Sequence, residues 1–315
     1  MRYRKLFPSF LLCILMWSCS TDRYVSFSGY AQGGIYTVKA NLKGVKTGQE
    51  AIGKGIDSLL NGIDFSLSGY NKASLLSRHN RGEQITPDRF FSELTDLCDE
   101  YYALSEGAFD VRSAPLFDIW GFGFTTDSLP SPEMVSAALE ECRRGRTLNF
   151  NAVAQGYSCD VIARYLDSLG VEDMLVDIGE IYCRGLNPKG EGWTIGVDNP
   201  SDGNNEPGRE LRGIWQSDGS GCGIVTSGNY RKFYVRDGRK YAHTIDPRTG
   251  YPVTHELLSA TIVAPSAALA DALATACMVM GPDWSKEFIT SHEGIEGYLI
   301  CGSGVWNSEG FNLLP

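Results

Sequence analysis

The chain has 315 residues and 43% apolar composition, enough for a sizeable core in one large domain or two lobes. Its formal net charge is −10, and no basic cluster follows the N-terminus. That argues against nucleic-acid binding, and it leaves any phosphate-bearing ligand in need of a metal or of backbone N–H groups.

Arg2, Arg4 and Lys5 precede an apolar run from Leu6 to Trp17 that ends at Ser18-Cys19. Basic, then hydrophobic but too short to span as a mature helix, then small is the order of a secretory signal, expected over residues 1–18. A cysteine at the cleavage point resembles a bacterial lipoprotein box, with Met16-Trp17-Ser18 a loose version of its approach. A lipidated Cys19 carries several acyl chains, enough for stable attachment. The expectation is a lipidated linker over 19–28, a domain over 29–315, and a lipid-anchored envelope protein facing the periplasm. Of nine cysteines, Cys13 leaves with the signal and Cys19 takes the lipid, so seven remain. Cys98, Cys142, Cys159 and Cys277 fall at apolar helical positions and no pair has CxxC spacing. They read as small core residues, neither a disulfide frame nor a zinc site.

Tyr30 to Ala40 reads as a strand with a glycine pair at its start. Gly48 to Ile63 places Ile52, Ile56, Leu59, Leu60 and Ile63 at helical spacing. Thr86-Pro87 opens a second helix, with Phe90, Leu94, Leu97, Cys98 and Tyr101 inward, that ends before Gly107. Ser131-Pro132 caps a third, which runs to Gly145. From Leu148 a short extended stretch enters a helix that begins near Ala154 and stops at Gly170, and such a helix start can hold an anion on its N–H groups. Met174 to Gly179 and Trp193 to Val197 read as strands, with a surface excursion over Asp198 to Arg212. Gly219 to Gly223 precedes a strand, so it is not a dinucleotide fingerprint.

Arg231 to Arg236 and Lys240 to Ile245 are β-prone runs around Asp237-Gly238, a strong hairpin signal. The second run enters the rigid turn Asp246-Pro-Arg-Thr-Gly250. His243 beside that turn is a candidate acid/base or phosphate contact, or simply a solvated strand histidine. Ser266 to Met280 is a helix apolar almost all round, so it should be buried. On it Asp271 and Thr275 lie one turn apart on one face. Two oxygen donors with no thiol or imidazole nearby suit a hard cation such as Mg²⁺, or an Asp–Thr pair satisfied by backbone. Gly297 to Cys301 is the last strand.

Several blocks, spread from about Gly29 to Gly281, resemble those of the ApbE family in the family's order. They are Gln32-Gly33-Gly34-Ile35-Tyr36, Phe65 to Tyr70-Asn71 with Ser74 and Asn80, Gly107-Ala-Phe-Asp110, Pro115 to Gly123, Leu148 to Asp160, Thr226-Ser227-Gly228, and His243 to Gly250. The resemblance implies an α+β, ApbE-like fold with helices packed on mixed β-sheets. It also implies Mg²⁺-dependent transfer of FMN from FAD to a Thr or Ser hydroxyl of an acceptor protein, releasing AMP. By position it implies FAD contacts at Gln32, Tyr70, Ala108, Phe109, Asp110, Asn151 and Tyr157. The implied metal ligands are the Ala154 carbonyl, Asp271 and Thr275, and His243 is implied as base or hydrogen-bond donor. The implied partners are FAD and an acceptor, a subunit of a membrane redox complex or another flavinylated exported protein. The chain departs from the family pattern at Gln32 and Gly34, at Asn151 where the family has serine, at Gln155 where it has lysine, and at Gly179-Glu180, one glycine short. FAD hydrolysis by the same site and a non-catalytic flavin-binding lipoprotein are the alternatives.

Overall fold

A computed structural model describes residues 23–122, 129–201, 208–229, 233–236, 239–242 and 244–314. Cys19 and His243 lie outside the described residues.

The chain opens with a hairpin, β1 (Tyr24–Ala31) and β2 (Gly34–Asn41), paired from Tyr24↔Asn41 to Ala31↔Gly34. Its two-residue loop is Gln32-Gly33, with φ of 49° and 83°. Positive φ at both loop positions is the geometry that matches strand twist in a tight hairpin. The single strand expected from Tyr30 is therefore the second arm of a hairpin. Residues 24–28, expected in a linker, already belong to the sheet, because Phe27 packs into the core beside Tyr36 and Val38.

Helices α1 (Gln49–Leu67) and α2 (Leu75–Asn80) follow, then α3 (Arg89–Leu104). The cap of α3 is Asp88, which accepts the Phe91 N–H and the Ser66 hydroxyl, so the expected Thr86 cap is replaced two residues on. Next come α4 (Ala114–Ile119) and α5 (Pro132–Arg144), the latter capped by Ser131 and stopped at Gly145 as expected. Helix α6 (Ala154–Ser168) leads to β3 (Met174–Asp177) and β4 (Ile181–Arg184). After these lie β5 (Thr194–Asp198), β6 (Leu211–Gln216), β7 (Cys222–Gly228), β8 (Phe233–Arg236) and β9 (Arg239–Ala242). The end of the chain supplies β10 (Leu257–Ala264), α7 (Ala267–Met280), α8 (Pro282–Ser291), β11 (Glu296–Cys301) and β12 (Gly304–Asn307).

Eight strands form the main sheet in the order β1-β2-β3-β4-β7-β10-β11-β12. The α+β class and the packing of helices on sheets are as the sequence implies. Where mixed sheets were implied, every described strand pair is antiparallel. One face is covered by α1, α6 and α7, whose Ile52, Ile162, Leu273 and Cys277 meet Val38, Val176, Val225 and Ile262. The other face is covered at its centre by the β5–β6 pair, through Trp193, Val197 and Trp215. Strands β8 and β9 pair as their own two-stranded unit, from Phe233↔Ala242 to Arg236↔Arg239.

Helix α7 is buried almost all round because it is sandwiched. Small residues permit that closeness. A Cβ at Gly156 of α6 would sit 2.4 Å from the Ala267 carbonyl oxygen, and one at Gly223 of β7 would sit 2.3 Å from the Ala267 Cα. Glycine at those two positions lets α6 and β7 close on the first turn of α7, which fixes where Asp271 and Thr275 stand.

Candidate active site

The chain folds around a cavity of about 830 Å³, within the range of pockets that hold a small molecule. It brings together Tyr70, Ala108, Phe109, Asp110, Asn151, Asp271 and Thr275, residues spread over two hundred positions of sequence. Thr226, Ser227 and Gly228 at the end of β7, and Thr244, Ile245 and Pro247 at the start of the rigid turn, complete the same wall.

The open lip is built from loops. Tyr70 is 66% exposed after α1, and its hydroxyl accepts the Asn151 Nδ2 hydrogen at 3.3 Å, so two of the expected ligand contacts meet across the mouth. The loop behind Tyr70 is fastened by Asn71, whose Nδ2 donates to Asp64, and by Ser74, whose hydroxyl donates to the Ser68 carbonyl. Asn80 holds the opposite strand-like entry to α6, donating to the Leu148 carbonyl and accepting its N–H at 2.8 and 2.9 Å. On the third side Ala108 and Phe109 are buried, and Asp110 accepts both the backbone N–H and Nε of Arg112, which fixes its carboxylate.

The deep wall is built from helices. Asp271 is 5% exposed, and one of its oxygens accepts the Gly156 N–H at 3.2 Å. That N–H belongs to the first turn of α6, whose own N-cap residue, Val153, gives no side-chain hydrogen bond. The carboxylate of one helix thus caps its neighbour. The arrangement is reciprocal: Asp160 of α6 accepts the Ala267 and Ala268 N–H groups of α7 at 2.8 and 2.9 Å. Burial pushes the Asp271 carboxyl up to about 7, with Asp160 nearby adding to it and the Gly156 N–H opposing. Burial likewise raises Asp160 to about 6, against the two N–H bonds. Asp160 escaped the sequence reading because its partners lie over a hundred residues away.

Ala154 is two residues before Gly156, in the same first turn, and its carbonyl accepts the Ser158 hydroxyl at 2.6 Å. Asp271, Thr275 and that carbonyl are an all-oxygen set with one carboxylate, and a buried carboxylate holding a single backbone donor has capacity for a cation. The set therefore fits Mg²⁺. Among the described residues no group of three or more His, Cys, Asp or Glu could hold a metal, and the set here combines its one carboxylate with hydroxyl and carbonyl donors.

Three implied residues, Ala154, Tyr157 and Gln32, are not among those that line the cavity, and neither is Gln155, which stands where the family has lysine. Tyr157 is fully buried, its hydroxyl donating to Glu93 at 2.9 Å, and burial with that bond raises its pKa far above the ordinary phenol value. Gln32 turns inward from the hairpin loop and donates to Ser158. Gln155 donates to the Ile178 carbonyl at 2.9 Å and so braces the turn between β3 and β4. Glu180 of that turn does line the cavity, and among the described residues the basic side chains on the wall are Lys72 and Arg81 rather than a residue at position 155.

The rigid turn forms as expected. Asp246 is chelated by Arg248, accepting from its N–H, Nε and Nη2 at 2.9, 2.9 and 2.8 Å. Burial raises the Asp246 carboxyl, but the Arg248 bonds win and hold it below the usual range. Gly250 N–H closes the loop onto the Asp246 carbonyl at 2.7 Å, and Trp120 Nε1 pins the Gly250 carbonyl at 2.8 Å. The turn is anchored on both sides of its glycine.

Residues 33–299 match the model of the ApbE family. The chain is 31% identical over 303 residues to the FAD:protein FMN transferase of Escherichia coli K12, covering 87% of this chain and 84% of that protein. Among solved structures it resembles the apo form of the flavinyl transferase ApbE of Pseudomonas stutzeri, with a TM-score of 0.78, 31% identity, and 91% and 94% of the two chains covered. It also resembles the flavin transferase ApbE of Vibrio cholerae, with a TM-score of 0.79, 29% identity, and 92% and 99% covered.

Proposed function

This chain belongs to the ApbE family, and from that membership we propose that it transfers the FMN half of FAD to a threonine or serine hydroxyl of an acceptor protein, releasing AMP. The observation that carries the reading is the convergence of Tyr70, Ala108–Asp110, Asn151, Asp271 and Thr275 on one cavity, in a chain similar throughout to proteins named for this transfer.

In this reading the acceptor oxygen bonds to the flavin-side phosphorus as the bond from that phosphorus to the bridging oxygen breaks, and AMP leaves with that oxygen. The hydroxyl proton passes to a base. Tyr70 offers an aromatic face at the mouth, where a flavin ring can stack, and its bond to Asn151 holds the ring in place. Asp110, locked by Arg112, and the buried Ala108–Phe109 backbone shape the adjoining wall. The Gly156 N–H orients Asp271, so its carboxylate is set before ligand arrives. Mg²⁺ bound by Asp271, Thr275 and the Ala154 carbonyl would offset charge on the pyrophosphate. His243, next to the rigid turn in sequence, is our candidate for the base or for a donor to the phosphates.

The test is to incubate the protein with FAD, Mg²⁺ and a candidate exported acceptor and to measure acceptor mass. Gain of one FMN on the acceptor with stoichiometric AMP supports transfer. FMN and AMP released without labelling would assign hydrolysis, and FAD binding with neither product would assign a non-catalytic flavoprotein. We further propose that the chain is lipidated at Cys19 and held in the cell envelope facing the periplasm, on the basic–apolar–Ser-Cys order of its first nineteen residues. Cys19→Ala should leave the precursor unprocessed or release it from membranes, and unchanged partition would remove that part.

A further inference from the structure

Two of the seven cysteines that follow Cys19 are neighbours in the sheet. Cys183 of β4 and Cys222 of β7 are direct partners in antiparallel register. Directly opposed residues project to the same face with Cα atoms about 4.5–5.5 Å apart, inside the span of about 4.4–6.8 Å that a disulfide needs. Cys183 is fully buried and Cys222 is 8% exposed, between the β5–β6 cover and the sheet. The other five lie on five separate elements: Cys98 on α3, Cys142 on α5, Cys159 on α6, Cys277 on α7 and Cys301 on β11.

We propose that Cys183 and Cys222 are a covalent cross-link site, closing to a cross-strand disulfide when the chain meets a disulfide oxidant. In the exchange one thiolate attacks the oxidant's S–S bond to give a mixed disulfide and one free thiol. The second cysteine then attacks its neighbour's sulfur and displaces the second thiol. The pair gives up two electrons and two protons, and one disulfide of the oxidant becomes two thiols. Because the neighbouring Cys222 and burial hold the Cys183 thiol well above its ordinary pKa, the exchange runs best during folding, before the pair is covered. The bond would close a long loop that carries β5 and β6, where a cross-link restricts the unfolded chain most. It would also tie two strands that end at the cavity, β4 just after Glu180 and β7 at Thr226 to Gly228.

The experiment takes the full chain, reduced, unfolded and refolded in buffers of graded glutathione and glutathione disulfide. Remaining thiols are then trapped by alkylation and the cysteines mapped by peptide mass. The expected result is one internal disulfide, Cys183–Cys222, with every other free cysteine alkylated, Cys98, Cys142, Cys159, Cys277 and Cys301 among them. The oxidised form should have a higher Tm than the reduced form, a shift abolished by dithiothreitol. Cys222→Ala should lose the bond and the shift, while Cys301→Ala should keep both. A refolded wild type with Cys183 and Cys222 alkylated throughout the series, or paired elsewhere, would overturn the proposal.

Discussion

Two carboxylates on the α6–α7 pair look alike and are not equivalent. Asp160 and Asp271 are both buried, and each caps the helix opposite. Asp160 accepts two N–H groups at short distance, and none of the residues around the main cavity includes it. Asp271 accepts one, at longer distance, and lines that cavity beside Thr275. Buried charge is tolerated when its hydrogen-bonding capacity is filled. Asp160 is filled by protein, whereas Asp271 keeps capacity turned toward the ligand space. The first is what a structural carboxylate looks like, the second a binding one, and composition alone would not separate them.

The sharpest way to break this contrast is by substitution at Asp271. Asp271→Asn keeps the shape and an acceptor for Gly156 while removing the charge, and it should lower FMN transfer by about 10³-fold or more with the fold retained. Asp271→Ala would combine that loss with an unsatisfied Gly156 N–H, costing about 1–3 kcal/mol of stability. Transfer measured beside thermal unfolding separates the two terms.

Asp160→Ala should do the reverse, destabilising the protein by roughly 2–4 kcal/mol as two N–H groups at the start of α7 lose their acceptor. The pH dependence has a definite sign. With its folded pKa raised to about 6, from an ordinary 3.8, Asp160 contributes stability that is complete below pH 4 and lost as pH rises through 6. The stability gap between wild type and Asp160→Asn should therefore shift against wild type across that window. Denaturant melts at pH 4 and pH 7 measure it, and a gap that widens in wild type's favour would refute the assignment.

At the cavity mouth, Tyr70→Ala should weaken FAD binding by about 1–3 kcal/mol, the scale of an aromatic–base stack, with no loss of Tm, since the ring is mostly exposed. The smallest effect is expected for Tyr157→Phe. Removing the bond to Glu93 should cost about 1 kcal/mol of stability or less and leave FAD affinity unchanged. A Tyr157→Phe variant that binds FAD poorly at wild-type stability would return Tyr157 to the binding set.

Much of the architecture was legible because its signals are local. The Ser131-Pro132 cap, the stop at Gly145, the apolar run of α7 and the strand from Gly297 depend on spacing and turn chemistry, although that strand is not the last: β12 follows and pairs with it. The helix start at Ala154 followed from the same kind of signal. Other features were not local. That Tyr24 to Ala31 pairs with β2 rests on a long-range choice of core face by Phe27. The role of Asp160, the inward turn of Gln32 onto Ser158 and the pairing of Cys183 with Cys222 all join residues far apart in sequence. Family resemblance named Tyr157 by position, but this tyrosine in the first turn of α6 faces the core, and its hydroxyl found Glu93 there.

The most direct test of the contrast between the two carboxylates is the ligand-induced Tm shift. It is measured with FAD and Mg²⁺ together, against FAD with chelator, in wild type, Asp160→Asn and Asp271→Asn. The account predicts a Mg²⁺-dependent shift in wild type and in Asp160→Asn, whatever its starting Tm, and none in Asp271→Asn. A full Mg²⁺-dependent shift in Asp271→Asn would contradict it.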